Sequence, residues 1–347
     1  MRVFVGGATG FIGRHLVRSL LEDGHQVRAV ARPSPRADAV AAEGVEVVEG
    51  DLRDAEAVGR AMAGCDLAYH LATVRTSSSV DRLADDPRTQ AGYRADVEAT
   101  RTVVDAAVAA GVGHFVYASS AGVYGKLERV PADETHPVRP DTAHRRAKLD
   151  GEAIVTEASE AHGLSAVAAR LTSVYGPGDE SAGRFFRLIL ARDFRLIGPG
   201  DMPYHYTYVE DVVRGLRACE AWRGPPGTAF LIGADPIPTL REFLEAIAEE
   251  AGLPLRRHPV PLPVFHAAAA VSRAVLVPLG LRPRLIRNAE FFSLPRAYDT
   301  SRAREELGFR SRVDLREGVR RTMEWIRANP RPASRSPSRS STPVEPR

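Results

Sequence analysis

The sequence predicts an α/β fold, a doubly wound parallel sheet of Rossmann type followed by a smaller C-terminal region. Two observations carry that expectation. Short β-branched runs alternate with longer Ala/Leu/Arg segments through the first half of the 347 residues, which implies βαβ crossovers and a parallel sheet covered on both faces. A glycine-rich turn, Gly7-Ala8-Thr9-Gly10-Phe11-Ile12-Gly13, stands between the first strand and the first helix, the context in which such a turn carries meaning.

Taken in order, residues 2–5 read as a strand and 12–21 as a helix, with Ile12, Leu16, Leu20 and Leu21 on one face. Strands are expected at 26–31, 45–49, 67–72, 114–118 and 166–171, and helices at 55–63, 89–110 and 143–162. Gly111 is placed to end the long second of these helices. After about Tyr175 the rhythm breaks, with Gly176-Pro177-Gly178 and Gly198-Pro199-Gly200. A helix is expected at 239–251, opened by Thr239 and stopped by Gly252, and another at 315–328. Residues 329–347 are rich in Pro, Ser and Arg without apolar periodicity, and read as a disordered tail.

Composition excludes several function classes. Hydrophobic residues make up 44% of the chain, enough for an ordinary core, and the net charge is only +3. Arg and acidic residues are interspersed, which is not the footprint of a nucleic-acid binder. Cys65 and Cys219 have no CxxC spacing, so neither a disulfide nor a metal is expected. The N-terminus runs directly into Arg2-Val3-Phe4-Val5 with no leader pattern, which points to the cytoplasm. The apolar stretch 264–281 holds Arg273 at its centre, against stable membrane insertion. It reads as a buried or oligomer-facing helix, the latter allowing a homodimer, with peripheral membrane contact as the lesser alternative. Only Lys126 and Lys148 are lysines, and a lysine kept in an arginine-rich chain suggests a need for a compact, titratable ammonium.

The turn has the chemistry of a dinucleotide site. Gly7, Gly10 and Gly13 let the backbone turn tightly and approach a pyrophosphate, and the helix N-terminus favours its charge. An acid at the end of the second strand would bind the ribose hydroxyls of NAD; here the strand ends in Arg32, followed by Ser34 and Arg36. A cation there suits a 2′-phosphate, hence NADP, with NAD the alternative. Asp51-Leu52, after the third strand, is placed to touch the adenine.

These residues, with His70-Leu71-Ala72, the run Tyr117 to Gly125, Lys148, Val174 to Gly178, Tyr208 to Val212 and Tyr298 to Phe309, stand in the order and spacing of a known family. The chain resembles the extended short-chain dehydrogenases/reductases, the NAD-dependent epimerase/dehydratase family, nearest the branch of 3β-hydroxysteroid dehydrogenases and dihydroflavonol reductases. The resemblance reaches about Trp325. It implies a nicotinamide-binding domain over 1–175 and a mainly substrate-binding region over 176–328, parts of which can return to the first domain. It implies cofactor contacts from Gly7, Thr9, Gly10, Phe11, Ile12, Gly13, Leu71, Ala72 and Lys148, and substrate contacts from Thr73, Tyr124 and Tyr175. Ser120 falls at the catalytic Ser/Thr position and would hydrogen-bond a substrate oxygen; Lys148 would bind the nicotinamide ribose and tune the neighbouring acid.

The departures are as informative. The family's Tyr-x-x-x-Lys is here His144-Arg145-Arg146-Ala147-Lys148, with both ends on one helix face. Imidazole, with an ordinary pKa near 6.5, can serve as base or acid; Lys148 would press it towards the neutral form. Asp96-Val97-Glu98-Ala99-Thr100 replaces the family's Asn-Val-x-Gly-Thr, and Arg170-Leu171 replaces Arg-Pro. The resulting expectation is a nicotinamide-dependent oxidoreductase, epimerase or dehydratase acting on a small hydroxyl- or carbonyl-bearing molecule. A non-redox isomerase or cyclase on the same fold, and a catalytically silent dinucleotide-binding protein, are the competing readings.

Overall fold

The computed structural model describes residues 1–73, 87–179, 183–192, 196–255, 260–276 and 294–330. Its centre is a seven-stranded sheet built from β1 (Arg2–Gly6), β2 (Gln26–Ala31), β3 (Glu46–Glu49), β4 (Leu67–His70), β5 (His114–Ser120), β6 (Ala166–Leu171) and, much later in the chain, β9 (Ala229–Ile232). The order is β3-β2-β1-β4-β5-β6-β9, and every neighbouring pair is parallel. The chain therefore steps outward from β1 to β3, then returns to lay β4 on the other flank of β1. The reversal leaves a crevice at the carboxyl ends of β1 and β4, where ligands of such sheets bind.

Both faces of the sheet are apolar and both are covered. On one face α1 (Phe11–Glu22) presents Leu16, Val17 and Leu20, and α7 (Val209–Ala218) adds Val212 and Leu216. Each of the three α1 side chains is fully buried and contributes about 1.5–3 kcal/mol of hydrophobic stabilisation. On the other face lie α3 (Ala55–Met62), α4 (Pro87–Ala109) and α5 (Ala143–His162), with Val58, Ala61, Val103, Val104, Ile154 and Val155 in the core. The helix α2 (Pro35–Ala42), which the sequence reading passes over, starts at Ser34, whose hydroxyl accepts the Ala37 amide.

The second half forms its own apolar cluster. A two-stranded parallel ribbon of β7 (Ser173–Tyr175) and β8 (Tyr206–Tyr208) packs with α6 (Gly183–Leu190), α8 (Leu240–Glu250) and α11 (Leu315–Ala328) through Phe186, Phe243, Ile247, Val319 and Met323. Thr239 and Glu242 form a reciprocal capping box at the start of α8. Not all of this half stays apart: α7, β9 and the segment around α10 (Ser301–Glu306), through Ala303 and Phe309, join the core of the first half.

The apolar stretch expected to be a buried helix is α9 (Leu262–Leu276), with residues 277–281 outside the described ones. Phe265 and Ala269 are buried, but Val264, Val271 and Val275 are 56–63% exposed. The helix thus packs by one narrow edge, a correction to the buried reading. None of the described helices is long and apolar enough to cross a membrane. The tail expected from 329 lies outside the described residues from 331 onward.

Candidate functional site

The glycine loop is shaped by contacts that allow no side chain. Gly7 has φ +92°, and a Cβ on it would lie 2.7 Å from the Ala72 amide nitrogen. A Cβ on Gly13 would lie 2.1 Å from the Gly7 carbonyl oxygen, so the first turn of α1 presses directly on the loop. Gly10 is the N-cap of α1, donates its own amide to Gly7 O at 2.9 Å, and offers no capping side chain; the first turn of α1 carries no acid. The amides at this helix start are therefore left to an outside acceptor, and the residues fit a pyrophosphate. Thr9, Phe11 and Ile12 complete the loop, Ile12 half-buried against the core.

At the outer end of the crevice, Arg32 follows β2 and is exposed. Its guanidinium makes no ion pair among the described residues. Ser34 is committed to capping α2. Asp51 accepts both the amide and the Nε–H of Arg53, at 3.1 and 2.8 Å. The Arg53 hydrogen bond, aided by the charges of Arg53 and Arg32, holds its carboxyl below the usual range. Leu52 packs beside it on the core.

The inner end is built on α5. Thr142 caps the helix by accepting the Arg145 amide at 3.2 Å, and His144, Lys148 and Glu152 follow at intervals of four along one face. Lys148 is buried; its ammonium donates to Ala72 O at 3.3 Å and sits 5.0 Å from the centre of the Tyr117 ring. Burial lowers its pKa to about 8 against the opposing pull of Asp96 and Glu152. Ala72 thus touches both Lys148 and Gly7, linking the lysine to the glycine loop.

His144 is half-buried, with Nδ1 3.2 Å from the Thr73 hydroxyl. That hydroxyl donates to Asp96 Oδ2 at 2.9 Å. The imidazole pKa falls to about 4; burial is the largest cause, and the charges of Lys148 and Arg145 come second. The sequence reading assigned the shift to Lys148, and the structure corrects that order. Ser120 ends β5 and starts a short 3₁₀ turn, its Oγ accepting the Gly122 amide at 3.0 Å. A Cβ on Gly122 would lie 3.1 Å from both Ser120 Oγ and Arg145 Nε, which shows the first turn of α5 closing over the serine.

Beneath lies a buried polar network that the sequence reading missed. Arg170 donates to both oxygens of Glu152 at 3.0 and 2.7 Å and to the Tyr124 hydroxyl at 2.7 Å, while Ser119 also donates to Glu152. Glu152 and Arg170 are each 11% exposed. The interval of four after Lys148 was the available signal for Glu152. Tyr124 and Tyr175, expected at the substrate, are instead 0% and 2% exposed. Tyr124 is taken by Arg170. Tyr175 packs on Tyr208 and Phe243, with Leu315 O 3.5 Å from its hydroxyl and a backbone glycine, Gly318, closing over it. Core packing has claimed both rings, while Thr73, the third residue expected there, touches His144.

A glycine loop at the switch point of a parallel sheet, with a serine ending β5 and a lysine buried on α5, defines the short-chain class of dinucleotide-dependent enzymes. Residues 3–233 match the NAD dependent epimerase/dehydratase family, and the chain belongs to it. It is 28% identical over 326 residues to a 4-hydroxy-2-methyl-3-oxo-4-farnesyl-3,4-dihydroquinoline-1-oxide ketoreductase of Stigmatella aurantiaca, covering 92% of this chain and 95% of that one. It is 31% identical over 343 residues to a UDP-glucose 4-epimerase of Mycolicibacterium smegmatis, covering 94% and 99%. Among solved structures, a dTDP-glucose 4,6-dehydratase of Streptomyces venezuelae with NAD bound superposes with a TM-score of 0.74 at 25% identity, covering 95% and 98%.

Proposed function

We propose that this chain binds a nicotinamide dinucleotide along the Gly7–Gly13 loop and interconverts alcohol and ketone on a small metabolite, with His144 as its acid–base group. The observation that carries this reading is the placement of His144, one helical turn before the buried Lys148, with a hydroxyl holding its Nδ1. When bound, the dinucleotide supplies or takes the hydride. The protein's own part is binding, orientation and proton handling. The amides opening α1 and the close backbone of Gly7 and Gly13 hold the pyrophosphate. Lys148 binds the ribose hydroxyls, Ser120 orients the substrate oxygen, and His144 moves the proton. Asp51, Leu52, Leu71 and Ala72 line the adenine and nicotinamide walls, and Thr73 holds His144. Residues 1–175 form the cofactor half and 176–328 mainly the substrate half.

NADP is the preferred cofactor on this reading, because Arg32 directly follows β2 where an acid would select NAD, and it is exposed with no ion pair among the described residues. The solved relative carries NAD, so both forms belong in the test.

The experiment is a screen of alcohols and ketones, sugar nucleotides included, that follows nicotinamide absorbance with the wild type, His144→Ala and His144→Tyr. Loss of turnover in His144→Ala, with cofactor affinity kept, is the expected outcome. Restored hydride transfer in His144→Tyr would show that the pocket is otherwise an ordinary reductase site. Unaltered turnover in both variants excludes His144 from the chemistry.

A further inference from the structure

We propose that Asp96 and Thr73 are positioning residues that lock His144 as the Nδ1–H tautomer, so that its Nε2 can only accept a proton and the site begins by oxidising an alcohol. This inference rests on the reading of His144 as the acid–base group and extends it to the direction of the first step.

The argument is one of hydrogen counting. A threonine hydroxyl has one hydrogen. Thr73 sends it to Asp96 Oδ2 at 2.9 Å, and an ionised carboxylate can only accept. The 3.2 Å contact between Thr73 Oγ1 and His144 Nδ1 must then run the other way, with the ring donating. A neutral imidazole with its hydrogen on Nδ1 presents a lone pair at Nε2, and among the described residues Nε2 has no hydrogen-bond partner. Asp96 lies on α4 and His144 on α5, two helices packed along their lengths, with Thr73 on the segment after β4 between them.

This arrangement accounts for two departures from the family at once. An asparagine at position 96 could donate as well as accept, leaving the direction of the Thr73 hydrogen open; the carboxylate closes that choice. The charged groups around the ring act in concert. Lys148 and Arg145, on the ring's own helix, oppose a proton on it. Asp96 from α4 faces Lys148, as does Glu152 from the next turn of α5. The resting ring is therefore neutral and cannot donate first. In the step it allows, the substrate O–H bond breaks and an Nε2–H bond forms. The electron pair of the carbinol C–H bond leaves as hydride to an oxidised nicotinamide dinucleotide, and the carbonyl forms. Nδ1–H stays on Thr73 throughout. A substrate consequently enters as a hydroxyl compound, and the proton on Nε2 is available for any later reduction of the ketone.

Long-range ¹H–¹⁵N NMR of the full chain with ¹⁵N-labelled histidine reads the tautomer without substrate, the His144 signals being those lost in His144→Gln. The expected wild-type spectrum at pH 7 shows a protonated Nδ1 and an unprotonated Nε2. Thr73→Val and Asp96→Asn should mix or reverse the tautomers, and Thr73→Ser should restore the wild-type pattern. In turnover, Thr73→Val should lower kcat for alcohol oxidation by about 100-fold with KM little changed, as expected when a base is held in the wrong tautomer. A wild-type Nε2–H tautomer, or an unchanged tautomer in Thr73→Val, overturns the proposal. If turnover survives in His144→Ala while the tautomer data hold, the acid–base reading has failed and the positioning contact stands.

Discussion

Acid should unfold this protein well above the pH at which its carboxylates titrate, because burial disfavours the charged form of five imidazoles, His15 and, with the larger shifts, four others. Burial is the largest cause in each case. It lowers His70 to about 3 and His114, His144 and His205 to about 4, from an ordinary 6.5. Two rings show why protonation is costly. The Thr100 hydroxyl sends its hydrogen to Asp96 O, so His70 donates Nε2–H to it; His205 donates Nε2–H to Ala234 O at 2.7 Å; and each ring's Nδ1 is buried with no partner among the described residues. A second proton on either would add a buried donor with no acceptor. The sign follows from the depressed folded-state values. The unfolded chain takes up protons from about 6.5 downward while the folded chain does not, so this stability is whole above pH 6.5 and is lost as the pH falls towards 4. Between pH 7 and pH 5 each ring costs about 1.8 kcal/mol and the four together about 7 kcal/mol, comparable with the whole stability of a typical domain. Glu134, whose carboxyl burial raises, takes its proton first in the folded state and offsets part of the loss. Urea unfolding followed by circular dichroism at half-unit steps from pH 7 to pH 5 measures this directly. His205→Gln, which removes one titrating ring, should flatten the fall by about a quarter. Stability that stays constant across that interval refutes the reasoning.

Other perturbations act at the site itself. Arg32→Ala should weaken NADPH binding more than NADH binding in calorimetry, and equal losses would sink the preference for the phosphorylated cofactor. Gly13→Ala should abolish cofactor heats at concentrations that saturate the wild type, since its Cβ would stand 2.1 Å from Gly7 O; retained affinity would mean that the pyrophosphate lies elsewhere. Glu152→Ala leaves the Arg170 guanidinium buried without its carboxylate and should cost about 3–5 kcal/mol of unfolding free energy. A loss below about 1 kcal/mol would show that Tyr124 or water satisfies Arg170 alone.

Patterns short enough to lie on one element were legible in the sequence. The glycine turn needs only a strand before it and a helix after it, so spacing within seven residues announced it. The interval of four from His144 to Lys148 places both on one face of α5. The alternation of β-branched and Ala/Leu segments determined the parallel sheet, because a strand buried on both faces and a helix buried on one have different periods. Tertiary structure decided what the site residues touch. Thr73 and Asp96 stand 71 and 48 positions from His144 in the chain, and no local pattern joins them; the packing of α4 against α5 does. The same packing left Tyr124 to Arg170 and Tyr175 to an aromatic core. A tyrosine's sequence context records where its backbone lies, whereas the ring goes to whichever cavity and hydrogen-bond partner the neighbouring elements leave for it. The sequence alone thus determined the glycine loop, the sheet and the placing of His144 and Lys148 on one helix face. Only the fold decided what His144 touches, because the Thr73 hydroxyl at its Nδ1 is brought from elsewhere in the chain.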